Sequence, residues 1–236
     1  MRPFGFEAPA AAFTGGRLGW AAPHPRLPRR NRPRGEGVGA PRYPDGVTHD
    51  LRTGPDGIDR CAWVGDDPEY RRYHDEEWGR PLHGDRALFE KMSLEGFQAG
   101  LSWITILRKR PRFREVFAGF EPAAVAAFTP DDVERLMQDA GIIRNRAKIE
   151  ATISNARLAL AMAPGELDAL MWSFAPATHE RPRSFADVPA TTPESDAMSK
   201  ALRRAGFRFV GSTTMYALMQ SAGMVDDHVI GCHRAG

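Results

Sequence analysis

From Ile58 onward, apolar positions recur at spacings of three and four, and glycine and proline divide the chain into short helical runs. Leu88, Phe89 and Met92 open one such run, with Asp85 placed to cap its start and Gly100 to close it in a left-handed conformation. Ser102 is placed to cap the next run, Trp103-Ile104-Thr105-Ile106-Leu107, which ends in Arg108-Lys109-Arg110, cations suited to a helix C-terminus. Two helices meeting at so tight a corner would aim Glu95 and Trp103 into the angle between them. A carboxylate beside an indole face is a receptor for a flat, cationic ligand; the alternative is a solvated glutamate and a core tryptophan.

The remaining pattern is also helical. A short helix is expected from Pro68 to His74, ahead of the Asp75-Glu76-Glu77-Trp78-Gly79 turn, with further segments at 111–117 and 122–128. Thr129-Pro130-Asp131-Asp132 supplies a cap, a proline at the first position and then acids, and that helix stops at Gly141. Another runs from Ala147 through Ile153 and Leu158. Thr192-Pro193-Glu194 begins one closed by Gly206, and Ser212 or Thr213 begins the last, closed by Gly223. With no alternating strand pattern of any length, the predicted fold class is all-α.

Residues 1–57 read differently, with nine Pro, ten Gly, nine Arg and five acids. That composition predicts a disordered N-terminal extension ahead of one helical domain at 58–236. The extension is alternatively a basic arm that helps hold nucleic acid, or is not translated at all, with a start at a valine such as Val47. The extension carries net +4 of the formal +2, so the domain itself is slightly acidic and any nucleic-acid contact must rest on local donors. No apolar run approaches a membrane span and no secretory signal is visible, so no membrane partner and a cytoplasmic, nucleoid-associated location are expected.

Two cysteines stand 171 residues apart, and each lies near a histidine. His228 and Cys232 are at i and i+4, on one face of a helix-like turn, and Cys61 lies thirteen residues before His74. Two thiolates and two imidazoles complete a tetrahedral zinc set with no open position. Such a clasp would join the two ends of the domain, as a disulfide does, yet survive in a reducing compartment. His233 is the alternative ligand, and a metal-free structural role for each residue stays open.

Asp131–Asp139, a turn over Ala140–Arg146 and the helix that follows form a helix-hairpin-helix candidate. Backbone N–H groups at such a turn face a DNA phosphate without reading sequence, with Arg144, Arg146 and Lys148 adding local charge. The pattern is incomplete, since Gly141-Ile142-Ile143 has only the first of the two usual glycines.

Taken together, these stretches resemble the bacterial 3-methyladenine-DNA glycosylase I family of the helix-hairpin-helix superfamily. The matching residues are Arg60-Cys61-Ala62-Trp63-Val64, Tyr73 to Gly79, Leu94-Glu95-Gly96, Gly100 to Thr105, Gln138 to Arg144, Phe207 to Gly211, and Asp227 to Cys232. The likeness covers about residues 59–233. It implies structural Zn2+ on Cys61, His74, His228 and Cys232. It also implies a base pocket of catalytic Glu95 with Tyr73, Trp103 and Trp63, in which Tyr73 hydrogen-bonds to the base or to Glu95. Gly100 and Leu101 would fill the gap left by the flipped nucleotide, with Gly141, Arg144 and Lys148 as further DNA contacts.

The implied activity is release of 3-methyladenine from double-stranded DNA by a monofunctional glycosylase acting as a monomer. Asp168 as a water-activating acid and Lys148 as a Schiff-base lysine are competing roles; Asp168 reads as an outward position of an amphipathic helix, and a phosphate-facing position accounts for Lys148 without chemistry. Two rival functions remain: a non-catalytic zinc-stabilised DNA-binding module, and a zinc hydrolase acting on phosphodiesters.

Overall fold

The computed structural model describes residues 50–235, so residues 1–49 of the extension predicted over 1–57 lie outside the described residues. One prediction changes at once. Leu51–Thr53 (β1) and Asp59–Cys61 (β2) form an antiparallel hairpin in which Leu51 pairs with Cys61 and Thr53 with Asp59. The described structure thus begins before residue 58, and the fold is mostly helical, with one short hairpin that the sequence pattern did not show. Three-residue strands are too short to display an alternation. The hairpin nonetheless fixes the position of Cys61, and Leu51 packs against the buried group of Cys61, Val64, Val229 and Cys232.

Among the described residues nine α-helices follow: α1 Pro68–Glu76, α2 Asp85–Gln98, α3 Trp103–Val116, α4 Pro122–Ala126, α5 Pro130–Gln138, α6 Arg146–Ala161, α7 Glu166–Trp172, α8 Pro193–Arg204 and α9 Ser212–Ser221. The organising element is α2, which packs against α3, α6, α7 and α9. A helix enclosed on several sides is buried nearly all round. Leu88, Phe89, Met92, Leu94 and Phe97 accordingly join the core, and two charged residues of the same helix, Lys91 and Glu95, go in with them.

The caps show which local signals were decisive. Thr129 and Asp132 form a reciprocal capping box, with Pro130 at the first helical position, and Thr192 opens α8 the same way with Ser195. Asp85 does not cap its own helix. Its carboxylate accepts from Gly165 N (2.6 Å) and Asp168 N (2.9 Å), while Asp168 accepts from Gly84 N at the start of α2. The two acids cap each other's helices. Ser102 stands at the N-cap of α3, but its hydroxyl pairs with that of Thr105 at 2.9 Å rather than with a backbone N–H.

The expected break at Arg110 is also absent, because α3 runs through Pro111 to Val116. An interior proline costs ~3 kcal/mol. Fully buried Phe113 and Phe117 lie beyond it, and Phe113 sits 4.7 Å from Phe97 between ring centroids, contacts that offset that cost.

Candidate active site

Tyr73 of α1, Glu95 and Gln98 of α2, Trp103 of α3, Ala217, Gln220 and Ser221 of α9, and Trp63 with Trp78 beside the hairpin wall one cleft of about 190 Å³. Ligand pockets for drug-sized molecules run from roughly 300 to 1,000 Å³, so this one suits a single flat ring system. Sequence reasoning assembled Glu95, Tyr73, Trp103 and Trp63, and the fold brings all four together.

Glu95 is 3% exposed, and burial pushes its carboxyl up to about 7, against the opposing pull of the Lys91 cation and the Ser221 hydroxyl. The Ser221 Oγ donates to Glu95 Oε1 at 2.9 Å. Of the two partners expected for Tyr73, the base or Glu95, the carboxylate is instead bonded by the α9 hydroxyl. Tyr73 remains a neutral O–H, held well above its ordinary value by burial and by the nearby Glu95 charge. Its ring lies 5.5 Å from that of Trp103, and the Trp103 Nε1 is buried without a partner in the protein. A buried donor left without a protein partner is uncommon and marks a strained or functional position, or one completed by a water or bound group.

Lys91 was not legible as a site residue. It lies one turn before Glu95, with its Nζ 5.2 Å from the Tyr73 ring centroid and 5.3 Å from that of Trp103. Burial depresses its pKa while Glu95 supports its charge. The pair explains how a carboxylate is tolerated here: a counter-cation one helical turn away and a hydroxyl offset part of its desolvation.

Beside the cleft, buried atoms of Cys61, His74 and Cys232 lie within 4.8 Å of one another. The His74 Nδ1 faces Asp75 Oδ1 at 2.8 Å and the His228 Nδ1 faces Asp226 Oδ1 at 2.7 Å. Both rings therefore keep Nε2 for another partner. The His74 Nε2 lies 3.5 Å from Cys232 Sγ, and the His228 Nε2 is buried with no partner. Carboxylates that orient ring nitrogens in this way are the usual outer shell of a zinc site; three of the four predicted ligands gather here, and His228 is not among the residues whose ligand atoms all lie within 4.8 Å of one another. Gly79 permits the arrangement, since at φ +73° a Cβ would stand 2.8 Å from His228 Cε1. His233, the alternative ligand, contacts Asp59 O at 3.1 Å and Asp75 Oδ1 at 3.4 Å, and with His74 and Asp75 it forms a second group of donors within 4.8 Å of one another. Trp63 and Trp78 connect cluster and cleft, Trp78 lying 4.6 Å from His228 and 5.1 Å from Trp63.

The residues assigned to DNA fall into two groups. Gly100 adopts φ +87° as expected, and Leu101 is 40% exposed, its carbonyl held at 3.1 Å by the amide of the cleft residue Gln98. Arg144 is exposed in the α5–α6 turn, where the Ile143 and Arg144 amides find no acceptor among the described residues. Lys148 and Gly141 correct the prediction. Lys148 is buried, and its Nζ donates to the carbonyls of Phe97 (2.9 Å) and Ala99 (2.8 Å), the exposed end of the α2 hydrogen-bond ladder. Its amine is thus engaged with backbone carbonyls, and the residue is not among those that line the cleft. The Gly141 N–H is bound to Asp139 Oδ1 at 2.7 Å, and the glycine is needed because a Cβ would meet the Arg112 Cγ at 2.6 Å. Asp168, engaged with Gly84 and with His83 Nδ1 at 3.1 Å, is not among the residues that line the cleft.

The family described as Methyladenine glycosylase matches residues 63–235. DNA-3-methyladenine glycosylase 1 of Escherichia coli (strain K12) is 50% identical over 183 residues, 74% of this chain and 96% of that protein. DNA-3-methyladenine glycosylase of Haemophilus influenzae is 49% identical over 178 residues, covering 73% of this chain and 96% of its own. Among solved structures, one on 3-methyladenine recognition by 3-methyladenine DNA glycosylase I from Staphylococcus aureus superposes with TM-score 0.69 at 34% identity, covering 75% of this chain and 96% of that one.

Proposed function

This chain belongs to the methyladenine glycosylase family, and from that premise we propose how its cleft performs the reaction. The protein is a DNA repair enzyme, a monofunctional glycosylase that removes 3-methyladenine from alkylated DNA. Double-stranded DNA is its substrate, which accords with a monomer working on the nucleoid in the cytoplasm. Among the described residues no helix is long and apolar enough to cross a membrane.

The observation that carries the mechanism is a buried carboxylate, Glu95, walled by Tyr73, Trp103 and Trp63. Methylation at N3 puts a positive charge on adenine, which weakens the N-glycosidic bond and lets the base leave neutral. No general acid is then required. A cleft that favours the cation both selects the damaged base and lowers the barrier, provided the flipped nucleotide reaches it. Glu95 accepts from the amino edge of the base, and its charge stabilises the oxocarbenium-like sugar as water attacks C1′. Trp103 stacks on the base, Tyr73 presents a neutral hydroxyl to it, and Trp63 closes the rim. Leu101 occupies the space left in the duplex, with Gly100 making the turn, while Arg144 and the free amides of the hairpin hold the backbone.

Cys61, His74, His228 and Cys232 would hold a structural zinc, whose contribution is to fix Trp63, Trp78 and α1 at the rim of the cleft rather than to take part in the reaction. Incubating the full chain with methylated DNA and measuring the free base released tests the reading. Release of 3-methyladenine supports it, and retained DNA binding with no release would identify a binding module instead.

A further inference from the structure

The turn between α8 and α9, Arg208-Phe209-Val210, lies outside the cleft and has no part in the mechanism above. Among the described residues three non-glycine positions have positive φ: Ala118, Phe120 and Phe209. The left-handed region is a genuine outlier for a bulky side chain and costs of order 1–3 kcal/mol. For Phe120 the compensation is visible, since its ring is fully buried and stacks on Phe117 at 5.4 Å. Phe209, at φ +57°, has no such return, because it is 39% exposed.

The backbone around it is held unusually firmly for a turn that displays its side chain to solvent. Buried Asn155 of α6 grips both sides of Arg208, donating to its carbonyl at 2.9 Å and accepting from its N–H at 2.9 Å. Buried Ser199 of α8 donates to the Val210 carbonyl at 2.7 Å. Gly96, next to Glu95 on α2, faces this turn, where a Cβ would stand in ordinary contact with Phe209 Cβ at 3.4 Å and the Phe209 carbonyl oxygen at 3.6 Å. The Lys148 amine that ties down Ala99, two residues before Leu101, stands 6.0 Å from the Phe209 ring centroid. An exposed aromatic ring, an exposed arginine beside it and the exposed Leu101 are therefore anchored to the same end of α2.

We propose that Arg208 and Phe209 form a second DNA-contacting element beside Leu101. The Phe209 ring packs on base or sugar faces next to the interruption left by the flipped nucleotide, and Arg208 pairs with an adjacent phosphate. Stacking on an unstacked base and charge on the backbone are the two contacts that an irregular duplex offers and an intact one does not. The inference rests on the glycosylase reading, and the experiment separates the two.

Affinity for a duplex carrying an abasic-site analogue, and for free 3-methyladenine, is measured for the full chain and for Phe209→Ala, Phe209→Gly and Phe209→Tyr. Loss of the ring is expected to weaken duplex binding by roughly five- to a hundred-fold, the range for one stacked aromatic. Free-base affinity is expected to be unchanged and the tyrosine variant to bind like wild type. Phe209→Gly relieves the positive φ, so it keeps the test valid if the alanine variant folds poorly. Duplex affinity unchanged in a folded Phe209→Gly protein overturns the proposal, as does an equal loss for duplex and free base. Wild type that does not prefer the abasic duplex would instead overturn the underlying glycosylase reading.

Discussion

The Ser221 hydroxyl reaches Glu95 Oε1 at 2.9 Å from 126 residues further along the chain, joining the last helix of the fold to the carboxylate at its centre. A donor to the charged form lowers an acid's pKa, whereas burial raises it, and here burial is the larger effect, with the carboxyl at about 7. The enzyme therefore works near the point at which Glu95 changes charge.

That placement fixes a pH dependence. Below about pH 7 Glu95 is neutral in the free enzyme and the cationic base loses its partner, so kcat/KM falls on the acid side. Ser221→Ala removes a bond to the ionised form, so the midpoint moves to higher pH and activity recovers in more alkaline buffer. A pH profile of excision by the two proteins checks this, and an unmoved midpoint counts against Ser221 as a positioning residue.

Trp103→Ala removes a face of the cleft whose indole N–H has no partner in the protein. Affinity for free 3-methyladenine is expected to fall by roughly 1–3 kcal/mol if this ring carries the stacking. Isothermal titration measures it directly, and unaltered affinity would remove Trp103 from that role.

Purified full-length protein is expected to contain one zinc per chain, lost in His228→Ala. A closed four-ligand site couples metal to folding. At about 2–4 °C per kcal/mol for a chain of this size, chelation should lower Tm by at least about 10 °C. Activity abolished by a chelator with Tm unchanged would point to a catalytic metal and contradict the structural assignment.

Lys148→Met leaves the Phe97 and Ala99 carbonyls without their donor, which costs about 1–3 kcal/mol of stability. Because this amine is turned inward, the salt dependence of DNA binding should keep its slope. A slope reduced by about one would restore the phosphate contact that the sequence suggested.

The starts of α5 and α8 and the corner beside the cleft were legible because each rests on a local signal. Thr129 and Thr192 combine a cap with a following proline, and Glu95 and Trp103 sit on either side of a glycine corner. What escaped notice depends on contacts distant in sequence. Ser221 resembles any small polar residue until α9 is laid against α2, and Lys91 reads as a surface lysine until Tyr73 and Trp103 close over it. Lys148 misled for the same reason: basic residues in a hairpin suggest phosphate, yet the nearest unsatisfied oxygens are the α2 carbonyls. Asp85 and Asp168, which exchange helix ends, could not be paired without the fold.

The charge on Glu95 is the centre of the account, and Glu95→Gln isolates it, retaining the shape of the side chain while removing its charge. Single-turnover release of 3-methyladenine from methylated duplex DNA by wild type and Glu95→Gln is the most direct measurement. The expected result is a loss of one to a few orders of magnitude, about 1.4 kcal/mol for each tenfold, with Tm and zinc content unchanged. Release at the wild-type rate by folded, zinc-loaded Glu95→Gln would contradict it.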